Sequence, residues 1–120
     1  MRRWVLHEIE TPQGTRSPVV LDSRDGAERA VLLELRPGEA LGDHSVKEST
    51  LLLVLEGSIR VEAGDDLFDA GAQELFHFEP DERHSVTSDD GARILLLLAP
   101  WPGEGHYRGD AVARPGVSAS

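Results

Sequence analysis

The chain has no cysteine, which excludes disulfide staples and thiolate metal sites alike. It has no apolar run of membrane length either; the longest, ILLLLAP at 94–100, is the size of one strand. The opening MRRWVLHEIE breaks its apolar stretch at His7 and Glu8 and is too short and too polar for the hydrophobic region of a secretion signal. A soluble, cytoplasmic protein is the expectation. Positive charge is scarce: 12 Lys and Arg stand against 22 Asp and Glu, a net charge of −10. Such a surface repels phosphate backbones, so neither nucleic acid nor membrane is an expected partner, and the plain reading of the charge is solubility. No stretch of a dozen residues carries a helical period, and no fixed-period repeat is present. There is no phosphate-cradling glycine loop after a strand, since Gly103 and Gly105 lie in a proline-rich segment. Ser45 beside His44 and Ser85 beside His84 make no nucleophilic triad, because neighbours on a strand point to opposite faces.

What the chain does have is a series of short β-prone runs. Candidate strands are 4–10, 19–22, 29–36, 50–55, 58–62, 67–69, 74–78, 84–87 and 92–99. Turn chemistry separates them, notably Asp25-Gly26, Pro37-Gly38, Glu56-Gly57, Ala63-Gly64-Asp65 and Asp89-Asp90-Gly91. Many short strands at regular spacing predict an all-β sandwich or barrel. The division is residues 1–100 as the barrel with its N-terminal strands and 101–120 as a Pro/Gly-rich tail. Within the tail, Trp101, His106, Tyr107 and Arg108 are candidates to dock on the barrel or a neighbour. Two runs, LLLVL at 51–55 and ILLLL at 94–98, are apolar on both faces and need cover on each. A homodimer burying the outer leucines is the expected cover; the alternative is the tail folded over them.

Two histidine-bearing stretches stand out, PGEALGDHSVKESTLLLVLEG (37–57) with His44 and GAQELFHFEPDERH (71–84) with His77 and His84. They resemble the two sequence motifs of the cupin superfamily, small RmlC-like jelly-roll barrels also described as double-stranded β-helices. The first motif runs glycine, five residues, histidine, one residue, histidine, three or four residues, glutamate, six residues, glycine. Gly38, His44 and Gly57 fall in register, while Val46 stands at the second histidine and Thr50 at the glutamate. The second motif ends Pro-x-Gly-x-x-His; His84 matches its last position, and Glu79 and Asp81 replace the proline and glycine. The resemblance spans about 30–100. It implies a β-barrel fold and, in the family at large, one divalent metal (iron, manganese, nickel, zinc or copper) held by three histidines and a glutamate. Only His44 and His84 carry over, so the implied metal site is depleted.

In a barrel of that kind His44 and His84 would point inward, with Val46, Thr50, Leu52 and Val54 lining the same cavity. Two imidazoles fall at least one ligand short of a divalent site. Glu48 would complete a two-histidine, one-carboxylate arrangement of the type used by non-haem iron, although its place in a predicted turn reads as a solvated carboxylate. His77 reads either as a solvent-facing or interface residue or as a recruited third ligand, and His7 and His106 read as surface groups. Without metal, the two imidazoles would bind a small carbonyl or carboxylate compound or act as a general base. Three functions follow from the resemblance and these residues. The first is a small-molecule-binding cupin with a degenerate metal site. The second is a metal-dependent oxygenase or isomerase, and the third a scaffold working through its outer leucine face. Whether the chain is an enzyme stays open, and no catalytic residue is assigned.

Overall fold

The computed structural model describes residues 1–11 and 18–103, and the backbone alone at 42–44. Among the described residues eight strands follow one another: β1 (Val19–Ser23), β2 (Ala27–Leu35), β3 (Ala40–His44), β4 (Ser49–Ala63), β5 (Asp66–Gly71), β6 (Leu75–Phe78), β7 (His84–Thr87) and β8 (Ala92–Trp101). Every pairing is antiparallel. The hydrogen-bonded order is β1-β2-β8-β4-β7-β3, with β5 and β6 also paired to β4. The long strand β4 joins the two halves: its first part lies between β8 and β6, its second between β5 and β7. The result is the curled, all-antiparallel jelly-roll barrel that the motif spacing implied.

The bend in β4 falls at Gly57, where φ is +82° and a side chain would overlap the Gly91 carbonyl oxygen. Only glycine fits there. The sequence reads Glu56-Gly57 as a turn between two strands; instead the ladder passes through it, with a bulge between Val54 and Glu56. Inward alternation from both halves fills the interior with Leu33, Leu52, Val54, Ile59, Val86 and Ile94, all buried.

Three further expectations are corrected. Residues 4–10, read as a strand, form a short 3-10 turn at Leu6–Glu8. The Arg93 guanidinium holds this segment by donating to the carbonyls of Leu6 and Ile9, and Thr11 bonds to Glu34. Strand β3, for which the sequence gives no strand signal, pairs with β7. Strand β8, expected to stop before the prolines, runs on to Trp101. Of the tail residues singled out, Trp101 is described, and His106, Tyr107 and Arg108 lie outside the described residues.

Candidate functional site

The histidine-bearing motifs meet at one end of the barrel. His84 opens β7, is buried, and stacks flat on Phe78 of β6, with ring centroids 3.8 Å apart and planes 5° from parallel. Its Nδ1 lies 3.1 Å from the Glu82 carbonyl oxygen. A carbonyl can only accept, so Nδ1 carries the proton and, in the neutral ring, Nε2 is the acceptor. The backbone of His44, the last residue of β3, is the cross-strand partner of His84. Register therefore brings the two motif histidines to adjacent places on adjacent strands.

The loops beneath them are tied together. The Asp81 amide donates to the Val46 carbonyl (2.7 Å), and Lys47 pairs with the Asp81 carboxylate (2.7 Å). Asp81 has φ of +67°, the left-handed conformation for which glycine is the usual residue. Aspartate is among the few side chains that tolerate it, which explains how this chain departs from the motif's glycine without losing the turn.

The other expected residues separate into distinct environments. Thr50 is buried on β4 between Phe78 of β6 and Leu98 of β8, and Val46 is half-buried. Leu52 and Val54 belong to the packed core, so open space lies at the rim, where a cleft of about 370 Å³ is lined by Glu62, Gly64, Arg83, His84 and Ser85. Glu48 is not a solvated loop carboxylate. It is 0% exposed, and its Oε2 accepts the Gly103 amide at 2.7 Å. A side chain on Gly103 would come within 2.5 Å of the Lys47 carbonyl oxygen, so the chain after β8 lies flat against this loop. His77 lies on the outer side of the sheet, paired with Leu51 and bonded to the Ser49 hydroxyl at 2.7 Å, on the opposite face from Phe78.

Two of the positions at which the family holds its metal carry no donor of the required kind. No group of three His, Cys, Asp or Glu able to hold an ion occurs among the described residues. Val46 offers hydrocarbon where a histidine is needed, Thr50 a hydroxyl where a carboxylate is needed. Glu48 already accepts an amide at Oε2, and His77 is outside. A second cleft, of about 280 Å³, opens at the far end around Gly57 and Gly91. Its arginines are matched already, Arg36 with Glu39 (3.6 Å) and Arg93 with Glu34 (3.8 Å).

Register adds a residue that the sequence did not single out. Phe78 pairs with Thr50, Thr50 with Leu98, and Leu98 with Arg29 of β2. Alternation along β2 sets Arg29 on the same face as the core residues Leu33 and Leu35. Arg29 is half-buried at the inner rim, with its guanidinium 4.7 Å from the Trp101 ring centroid and NH1 donating to the Ser23 hydroxyl at 3.2 Å. Because Ala30 to Leu33 are apolar on both parities, no pattern in the sequence tells which parity faces in.

A family model described as the cupin domain matches residues 31–98. No protein with a curated description matches the chain. Solved structures similar to it include a cupin superfamily protein from Desulfitobacterium hafniense DCB-2 (17% identity, 78% of this chain and 85% of that one, TM-score 0.71). Another is an uncharacterised conserved protein with a double-stranded β-helix domain from Klebsiella pneumoniae (15%, 86% and 93%, TM-score 0.74). A third is the Cnp3 cupin domain of Schizosaccharomyces pombe (17%, 89% and 80%, TM-score 0.73). Identities this low speak for the fold alone.

Proposed function

Because the chain belongs to the cupin domain family, we propose that it is a small-molecule-binding cupin whose ligand sits at the His84 end of the barrel. One observation carries this reading. His84 is a buried, ring-stacked imidazole in a fixed tautomer, and it lines an open cleft of about 370 Å³. A histidine retained only for packing has no need of open volume beside it. Stacking on Phe78 and the bond to Glu82 hold the ring before any ligand arrives, so little ordering cost falls on binding. The partner compounds that suit this end are small and polar, since Glu62, Arg83, His84 and Ser85 line the cleft. Oxygenase or isomerase chemistry through a bound metal is the weaker reading, given the donors above.

A second copy of the chain is the proposed protein partner. Leu51 and Leu97, cross-strand neighbours on the outer face, are 37% and 38% exposed, and Leu75 on β6 is 59% exposed. Such a strip is what an isologous dimer buries.

The test is native mass spectrometry of the full chain purified without denaturant, beside His84→Ala. A small organic molecule retained by the wild type and lost from the variant is the expected result. One divalent metal ion per wild-type chain, lost in His84→Ala, would instead favour the metalloenzyme.

A further inference from the structure

We infer that the ligand taken at the His84 end carries a carboxylate and that Arg29 is its counter-ion. This rests on the small-molecule reading above and adds the charge of the ligand to it.

The first support is position. Arg29 closes the inner-face row that runs Phe78, Thr50, Leu98, Arg29, and His84 stacks on the residue at the row's other end. Three strand spacings separate the ends, about 14 Å of backbone at roughly 4.8 Å each. A long arginine side chain and a stacked imidazole therefore stand at the two ends of one inner-face row. Below them the interior is hydrocarbon, so polar recognition is confined to this level.

The second support is charge pairing. In a chain of net charge −10, carboxylates are plentiful, and several other cations have taken one. Arg60 faces Asp69, and Lys47 faces Asp81. Arg24 donates to Glu28 at 2.8 Å, and that bond, the Glu28 charge and Asp22 hold its guanidinium above its ordinary value. Among the described residues Arg29 has no carboxylate; it has a hydroxyl and an aromatic face. A half-buried guanidinium without a counter-ion carries a desolvation cost. Its planar fork matches a carboxylate's two oxygens.

The third support is preorganisation. Trp101 holds the guanidinium by a cation–π contact. Its own position is fixed by the Gly26 amide, which donates to the Trp101 carbonyl at 2.6 Å, and two residues on by the Glu48–Gly103 bond. The buried Glu48 thus anchors the strap 101–103 that carries Trp101.

Trp101 supplies the readout once Trp4, the only other tryptophan, is replaced in a Trp4→Phe background. Fluorescence titrations would use lactate, succinate and benzoate, each against its primary amide, with phenyl phosphate as a second anion. At least one carboxylate is expected to bind tenfold or more tighter than its amide. Arg29→Gln should erase that preference, and Arg29→Lys, which keeps charge but not the fork, should retain part of it. Should Arg29→Gln fail to fold by circular dichroism, Arg29→Lys and the acid-to-amide ratio in wild type still decide. Acid and amide binding alike, an Arg29→Gln variant with unchanged preference, or phenyl phosphate outcompeting every carboxylate would overturn the inference. Amide binding that disappears in His84→Ala would, in those cases, leave the pocket reading standing. Silence of every probe in wild type, with no retained molecule in the native mass spectrum, would remove both.

Discussion

Glu48 shows how one side chain can be misread when its partner is distant. Between Lys47 and Ser49, in a loop, it has every sequence mark of a solvated acid. Its partner amide lies 55 residues further on, beyond any local pattern. Truncating it would leave the Gly103 N–H without an acceptor and open a void under the loop. Glu48→Ala is expected to destabilise by about 2–4 kcal/mol in thermal or urea unfolding, and Glu48→Gln, which keeps an acceptor oxygen, by about 1 kcal/mol. Equal stability of Glu48→Ala and wild type would contradict the strap. Gly57 is the opposite case, because its motif position was legible and the reason for it is steric. Gly57→Ala meets both a positive φ and the Gly91 carbonyl, so a loss of at least about 2 kcal/mol is expected in the same assay. The histidines were legible as positions; the tautomer of His84 and the pairing of Arg29 were not, since both depend on what lies across a sheet.

At the scale of elements, seven of the eight strands correspond to runs visible in the sequence, because alternation and turn residues are local signals. The misses have physical causes. β3 carries Gly42, Asp43 and His44, poor strand formers, and exists because β7 offers it a ladder. The predicted break in β4 is absorbed by a glycine that bends the strand without ending it. The N-terminal segment alternates like a strand, but it has been captured as a 3-10 turn by Arg93. Two charge-assisted bonds to main-chain carbonyls are worth several times an exposed ion pair. Arg93→Met is therefore expected to raise hydrogen exchange and proteolysis selectively in residues 1–11, with a global cost of about 2 kcal/mol. Unchanged protection of that segment would show that something other than Arg93 holds it.

For the molecule as a whole, the family fold was readable from motif spacing and the charge balance from composition. What the barrel does with its two ends, and with the outside of its leucine strands, depends on the assembled shape. The N-terminal segment is tied to the outer face at Glu34 and Arg93, whereas Leu51, Leu75 and Leu97 stay open in the single chain. The proposed dimer is expected to become a monomer in Leu97→Glu by light scattering while circular dichroism stays unchanged; a monomeric wild type, or an unaltered mass in the variant, would contradict it. The central claim is that ligand chemistry belongs to the His84 rim and not to the cleft around Gly57 and Gly91. An NMR titration of the full chain with a library of small carboxylates and amides tests this most directly, with the His84, Phe78 and Trp101 ring signals followed beside the amides of Arg36, Glu56 and Gly91. Shifts concentrated on the first group are the expected result; shifts concentrated on the second, or none at all, would contradict it.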